Sequence, residues 1–173
     1  MLLALTACGY RLGQGPYVER GTKLSIPYIQ GDKNGDFTNA LIYAVEAKSS
    51  YRFCGGSGDR VLRVAIQEIK KEHVGWRYDI DSHEELTDVT IPQETRLVMV
   101  VIVELLDGQT YALVGGPFEI RESVEFDHDY YYSADEINVV SLGQLTDYDT
   151  AFDVSLKPLY AKISEKIVDA INF

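Results

Sequence analysis

The stretch Glu94-Thr95-Arg96-Leu97-Val98-Met99-Val100-Val101-Ile102-Val103-Glu104-Leu105-Leu106 decides how the rest of the chain must fold. Its middle is an almost unbroken run of Val, Ile, Leu and Met, side chains that suit a pleated and buried surface. A half-exposed strand would alternate apolar and polar residues, and this run does not. It predicts the central strand of a sheet, covered on at least part of its second face. The run is also too short for a membrane-spanning helix, which needs about 20 apolar residues.

Working toward the C-terminus, Asp107-Gly108 is a hairpin signal between two strand-like runs. The next strand is predicted over residues 110–114 and 118–126, with a bulge or bend at Gly115-Gly116-Pro117. Residues 127–144 read as a loop with Tyr130, Tyr131 and Tyr132 at its centre. A helix is predicted over 147–172, because Leu159, Ile163, Ile167 and Ile171 fall four apart. Pro158 should kink it or mark the start of its second half.

Working toward the N-terminus, residues 75–93 read as a polar, acidic connection. Residues 59–72 alternate, with Leu62, Val64 and Ile66 on one side and Arg63 and Gln67 on the other. That is the pattern of a half-buried antiparallel strand. Asp36 is placed to cap a helix over 37–52, whose apolar face is Phe37, Leu41, Ala44 and Val45. Cys54-Gly55-Gly56-Ser57-Gly58 ends it. Leu24, Ile26 and Tyr28 alternate in a first strand over 23–29, which Pro27 confines to an edge. Strand, helix, three strands, helix predicts an α+β fold: a four-stranded, mostly antiparallel sheet with two helices packed on one face.

Composition bounds the function. Apolar residues at 46% and charged residues at 25% are ordinary for one globular domain, and the 173-residue length suits one. A net charge of −11 argues against nucleic acid and against docking on anionic lipid through a basic face.

Leu5-Thr6-Ala7-Cys8 reads as a lipobox. Cleavage after a small residue exposes the cysteine as a new N-terminus, and acylation of its thiol, with palmitate among the chains, tethers the protein to a membrane. Met1 to Leu5 supplies neither a charged leader nor a long apolar core. Residues 1–7 are therefore expected to be a truncated signal peptide, residues 8–22 the lipidated N-terminus and linker, and 23–173 a single domain. Lipidation at Cys8 leaves Cys54, the second of the two cysteines, unpaired. A Cys8 to Cys54 disulfide is the alternative if the motif is incidental.

Local sequence then carries a resemblance. Cys8-Gly9-Tyr10-Arg11-Leu12-Gly13, the strand Leu24-Ser25-Ile26-Pro27-Tyr28-Ile29 and the helix opening Phe37-Thr38-Asn39-Ala40-Leu41 resemble the LPS-assembly lipoprotein LptE family. The resemblance implies an outer-membrane, lipid-anchored protein on the periplasmic side, lodged in the lumen of an LptD-type barrel that it partners and plugs. It also implies assistance to lipopolysaccharide assembly, with direct lipopolysaccharide contact through basic residues. Here the chain departs from the family, since it is acidic; Lys70 and Lys71, then Arg60 and Arg63, are the nearest candidates. The exposed aromatic residues most suited to the barrel partner are Tyr130, Tyr131 and Tyr132.

Other chemistries lack their signatures. The histidines His73, His83 and His128 are scattered, and neither 79–85 nor 127–129 has the spacing of a known metal loop. No nucleophile elbow, phosphate loop or dinucleotide fingerprint is present. The expectation is a non-enzymatic protein without metal or cofactor. The alternative is a periplasmic ligand-binding or adaptor lipoprotein unrelated to lipopolysaccharide.

Overall fold

A computed structural model describes residues 21–80, 86–128 and 148–172. Their order is β1 (Lys23–Ser25), α1 (Asp36–Lys48), β2 (Arg52–Cys54), β3 (Arg60–Ile80), β4 (Leu86–Asp107), β5 (Leu113–Asp127) and α2 (Tyr148–Ile171). The strands form one mixed sheet in the order β2-β1-β3-β4-β5. The expected α+β class holds, but the sheet has five strands, and β1 runs parallel to both of its neighbours.

The added strand is β2, which lies where the sequence pattern extends the first helix to residue 52. It is only 3 residues long, too short for alternation to show. Its ladder with β1 pairs Lys23 with Arg52, Leu24 with Phe53 and Ser25 with Cys54. Glu46, still on the helix, accepts a 2.5 Å hydrogen bond from the Phe53 amide and holds the strand against α1. Cys54 thus ends a strand, half-buried and free, with its Sγ 3.7 Å from the Gly56 carbonyl.

β4 carries two faces of different chemistry. Leu97, Met99, Val101, Val103 and Leu105 join α1 and α2 in a single core with Leu62, Val64, Ile120 and Val124. Fully burying such a side chain contributes roughly 1.5–3 kcal/mol, so this face dominates stability. The opposite face shows Val98, Val100, Ile102 and Leu106, flanked by the ion pairs of Arg63 with Glu104, Lys70 with Glu68 and Arg96 with Glu125. Val98 and Val100 are buried on this face, beside those charged neighbours. The middle place in the sheet belongs to β3; β4 lies between β3 and β5.

A larger correction concerns residues 75–93. They are not a polar connection: β3 runs on to Ile80 and β4 begins at Leu86. Trp76 pairs with Pro92, Arg77 with Ile91 and Tyr78 with Thr90. β5 ends opposite Glu94, so among the described residues the ladder beyond that point is a two-stranded arm. Pro92 lies past the end of β5, where among the described residues no strand pairs with that side of β4.

The turn after β4 is longer than a two-residue hairpin. Asp107 Oδ1 accepts from the amides of Gln109 and Thr110 and from the Thr110 hydroxyl, and Arg60 donates to Oδ2 at 2.6 Å. The expected irregularity in β5 is present. Gly116 sits at φ 90°, where a Cβ would lie 2.6 Å from the Val103 carbonyl oxygen, and the β4–β5 register shifts there.

Asp36 does not cap α1. Gly35, in the left-handed region at φ 80°, occupies the cap position without a side-chain bond. The capping carboxylate is Asp32, 4% exposed. It accepts from the Gly35 amide (3.1 Å), the Thr38 amide (2.8 Å) and the Thr38 hydroxyl (2.7 Å). Thr38 in turn accepts from the Ile29 amide at 3.2 Å, which ties the post-β1 chain to the first helical turn. α2 runs through Pro158 as one helix.

Two outcomes follow. Asp32→Ala should lose about 2–3 kcal/mol in urea unfolding, since three donors to a buried carboxylate are stranded, whereas Asp36→Ala should stay within about 0.5 kcal/mol. Equal losses would return the cap to Asp36. Separately, Asp107 is held below its ordinary carboxylate range, chiefly by the Thr110 and Gln109 amides, and Glu122 below its own by the hydrogen bond from Lys166. A lowered folded value means that this stability is present above the unfolded value and lost as pH falls through the folded one. The melting temperature should therefore drop as pH falls below about 4, and less steeply in Glu122→Gln. Parallel slopes for the two proteins would contradict it.

Candidate functional site

Where the arm leaves the helix-covered sheet, the described elements converge on one side-chain cluster. Lys71 and His73 come from β3, Thr95 from β4, Phe126 from β5, His128 from the residue after it, and Tyr148 and Phe152 from the first turns of α2. Strand alternation places Lys71, His73, Thr95 and Phe126 on the helix side, because Lys71 pairs with Leu97, His73 with Thr95 and Phe126 with Thr95.

Thr95 is the hub. Its side chain is fully buried, and its Oγ1 lies 3.1 Å from His73 Nδ1 and 2.8 Å from His128 Nε2. A hydroxyl has one proton, so it donates to one ring and accepts from the other, which fixes complementary tautomers in the neutral pair. His128, 5% exposed, meets the Tyr148 ring edge-on at 4.8 Å and Phe126 at 5.7 Å. Phe126 also touches Phe152. The Lys71 ammonium lies over this aromatic group, 4.1 Å from the Phe152 centroid and 4.9 Å from that of Tyr148. Such cation–π contacts contribute about 0.5–1 kcal/mol at exposed sites.

The sequence-predicted residues fall as follows. Lys70 and Lys71 are neighbours on a strand and so point to opposite faces: Lys70 pairs with Glu68 at 3.2 Å on the open face, Lys71 with the aromatic rings. They do not converge on one anion. Arg60 is paired with Asp107 and Arg63 with Glu104, each at 2.6 Å. Cys8, Tyr130, Tyr131, Tyr132 and His83 lie outside the described residues. His128 and Tyr148, the described residues on either side of the tyrosine segment, are in ring contact.

Sequence reasoning missed Trp76 and Tyr78. They continue the face of His73 onto the arm: Trp76 meets His73 edge-on at 5.9 Å, and Tyr78 lies two residues on. The signal was there in the spacing: Trp76 and Tyr78 are two apart, as on one face of a strand, and Pro92 and Thr90 lie across the ladder from them. The carboxylates between the two runs masked it. Other concave features are open hollows. One, of about 390 Å³, lies on the open sheet face between Arg96, Arg121 and Glu125.

No family model and no curated protein matches the chain. Solved structures do. A minor lipoprotein of Acinetobacter baumannii aligns with TM-score 0.52 and 14% identity over 91% of this chain and 93% of that one. A candidate lipoprotein of Caulobacter crescentus aligns with TM-score 0.50 and 16% identity over 83% of each chain. The rare lipoprotein B of Shewanella oneidensis aligns with TM-score 0.49 and 12% identity over 86% of this chain and 92% of that one. At such identities the first two likenesses establish a shared fold.

Thr95→Val keeps shape and removes the hydroxyl from both imidazoles. It should cost about 1–3 kcal/mol in urea unfolding, and Thr95→Ser clearly less. A serine variant as unstable as the valine one would show that the methyl group matters, not the bridge.

Proposed function

We propose that this chain is a lipid-anchored lipoprotein of the outer membrane that partners and plugs an LptD-type barrel and assists lipopolysaccharide assembly without catalysis. The observation that carries the reading is a fold shared along most of its length with proteins described as lipoproteins, in a chain that bears Leu5-Thr6-Ala7-Cys8. Among the described residues no helix is long and apolar enough to cross a membrane, which fits attachment through Cys8. Two acyl chains at roughly 0.8 kcal/mol per buried methylene would hold the protein on a bilayer.

The finer parts rest on the sequence resemblance. Two helices on one face of a sheet agree with the architecture it implies. Direct lipopolysaccharide contact has the least support: Arg60, Arg63 and Lys70 are committed to carboxylates, and Lys70 and Lys71 diverge. That observation favours a scaffold role within the barrel complex over a phosphate clamp. It also keeps the second reading, an adaptor lipoprotein unrelated to lipopolysaccharide.

Cys8→Ala should abolish palmitate labelling and move the protein from the membrane pellet to the soluble fraction. The wild-type chain should co-purify with a large barrel from solubilised outer membrane, and Tyr130→Ser, Tyr131→Ser and Tyr132→Ser together should reduce that recovery. An unlabelled wild-type protein ends the lipoprotein reading; a labelled protein without a barrel partner leaves the adaptor.

A further inference from the structure

β5 borders the sheet, and among the described residues no strand pairs with its outer edge. The ladder itself fixes which backbone groups point outward there. The His128 amide bonds to the Gln93 carbonyl, and the β4–β5 register runs without a shift from the Glu94–Asp127 pair to the Val103–Phe118 pair. In an antiparallel pair, hydrogen-bonded residues alternate with residues whose N–H and C=O turn away. Phe126, Val124, Glu122 and Ile120 therefore bond to β4, while Glu125, Ser123, Arg121 and Glu119 present their backbone groups to the outside. The Lys162 ammonium agrees with this parity, since it reaches the Ser123 carbonyl from α2 at 3.2 Å.

The outer edge is closed at two places and open between them. Ser123 gives its carbonyl to Lys162 and its amide to the Glu122 carboxylate at 3.3 Å. Pro117 has no amide to give. Between them stand Glu119 and Arg121, opposite in charge and exposed. Both side chains lie on the open face of the sheet, because these residues pair with Ile102 and Val100. Arg60, Arg63 and Arg96 are each held by a carboxylate, but among the described residues neither Glu119 nor Arg121 is in an ion pair.

This pattern is complementary to itself. A two-fold axis normal to the sheet at Ile120 lays β5 of a second copy antiparallel to the first. Glu119 of each copy then stands opposite Arg121 of the other, and the pair exchanges backbone hydrogen bonds while carboxylate meets guanidinium. Ser123, whose edge groups are already filled, falls opposite Pro117. On the helix side the exposed Phe118 ring comes against Glu122, whose carboxylate Lys166 holds. Neighbouring registers fail on charge. An axis at Arg121 opposes two guanidiniums, one at Glu119 two carboxylates, and one at Glu122 sets Glu119 against Glu125. An axis at Ser123 sets Glu119 against Asp127 and asks Arg121 to share Glu125 with Arg96.

We propose that β5 pairs with β5 of a second copy of this chain across a two-fold axis at Ile120, giving one sheet shared by two molecules. The proposal needs neither the lipid nor the barrel. The seam is short, so the dimer is a weak one, with a dissociation constant on the order of 0.1 mM.

The test uses the full chain with Cys8→Ala, which keeps it free of lipid however the N-terminal motif is read. Light scattering over a dilution series from about 1 mM follows the mass, and hydrogen exchange follows the Glu119 and Arg121 amides. The mass should rise toward that of a dimer, with those two amides exchanging about fivefold more slowly at the top of the series. Glu119→Arg alone and Arg121→Glu alone should each stay monomeric, because like charges then face each other. An equal mixture of the two should dimerise again, and so should the chain carrying both replacements. A parent chain that is monomeric throughout overturns the proposal. So does a dimer that survives the single reversals, a mixture that stays monomeric, or a dimer in which the two amides exchange as fast as in the monomer.

Discussion

The register of the β3–β4 ladder is the constraint on which the other elements depend. Side chains alternate with period two, so a one-residue slip would carry Leu97, Met99, Val101 and Val103 from the helix side to the open side. Slippage is opposed along the whole length. At one end Arg60 binds Asp107 and the Gly108 amide bonds to the Asp59 carbonyl. Midway Arg63 binds Glu104 across the strands, and toward the arm Thr95 joins His73. Exposed ion pairs contribute little stability, typically about 0–1 kcal/mol each. What they do here is penalise the shifted pairing, which would oppose charges to valines. The register shift between Ile66 and Glu68 keeps hydrophobic and charged residues on their proper faces despite one extra residue in β3.

The helix layer is attached to this ladder through separate polar fastenings. Asp32 binds the first turn of α1 from a loop that also bridges to β3, where Gln30 pairs with Ala65. At the other end of the layer, Lys48 pairs with Glu165 and Asn172 bonds to the Lys48 carbonyl, so the two helix C-termini are joined. Phe37 stacks on Tyr160 at 5.0 Å and 11°, and burial pushes the Tyr160 phenol up, reinforced by Asp32. Burying a carboxylate is costly unless its lone pairs are filled. Asp32 meets that condition with three donors, which is why it, and not the more exposed first-turn Asp36, governs where α1 starts.

How much of this was legible follows the length of each signal. The β4 run, the Leu62, Val64, Ile66 alternation and the four-residue spacing in α2 are long periodic patterns, and each became the predicted element. β2 was not legible, because three residues carry no period and their ladder depends on β1, which lies about thirty residues earlier in the chain. The Asp32 cap was hidden for a related reason: capping rules look at the residue next to the helix, and here the carboxylate reaches across a glycine turn. The arm was misread because its charges are real and its strands are also real. High polarity suggests a loop only when no partner strand supplies backbone pairing. Residues 75–80 have that partner in 86–93.

The two ends of the long ladder therefore carry different burdens. The end at Asp107 is finished internally: the Thr110 and Gln109 amides fill its carboxylate, and Arg60 neutralises it. The far end is not finished in the same way. Its polar hub at Thr95 is sealed by Phe126, Tyr148 and Phe152, and Lys71 is drawn onto those rings instead of toward solvent anions. Immediately beyond, the aromatic side chains continue onto the arm, where no other described element packs over them. Trp76 and Tyr78 stay outside the core cluster and more than half exposed, so core packing alone gives little reason for rings at those places. A lipid at the N-terminus would fix where such a protein sits. The chemistry of what it touches there has to be written on exposed side chains, and Trp76 and Tyr78 are among the large ones on the described surface.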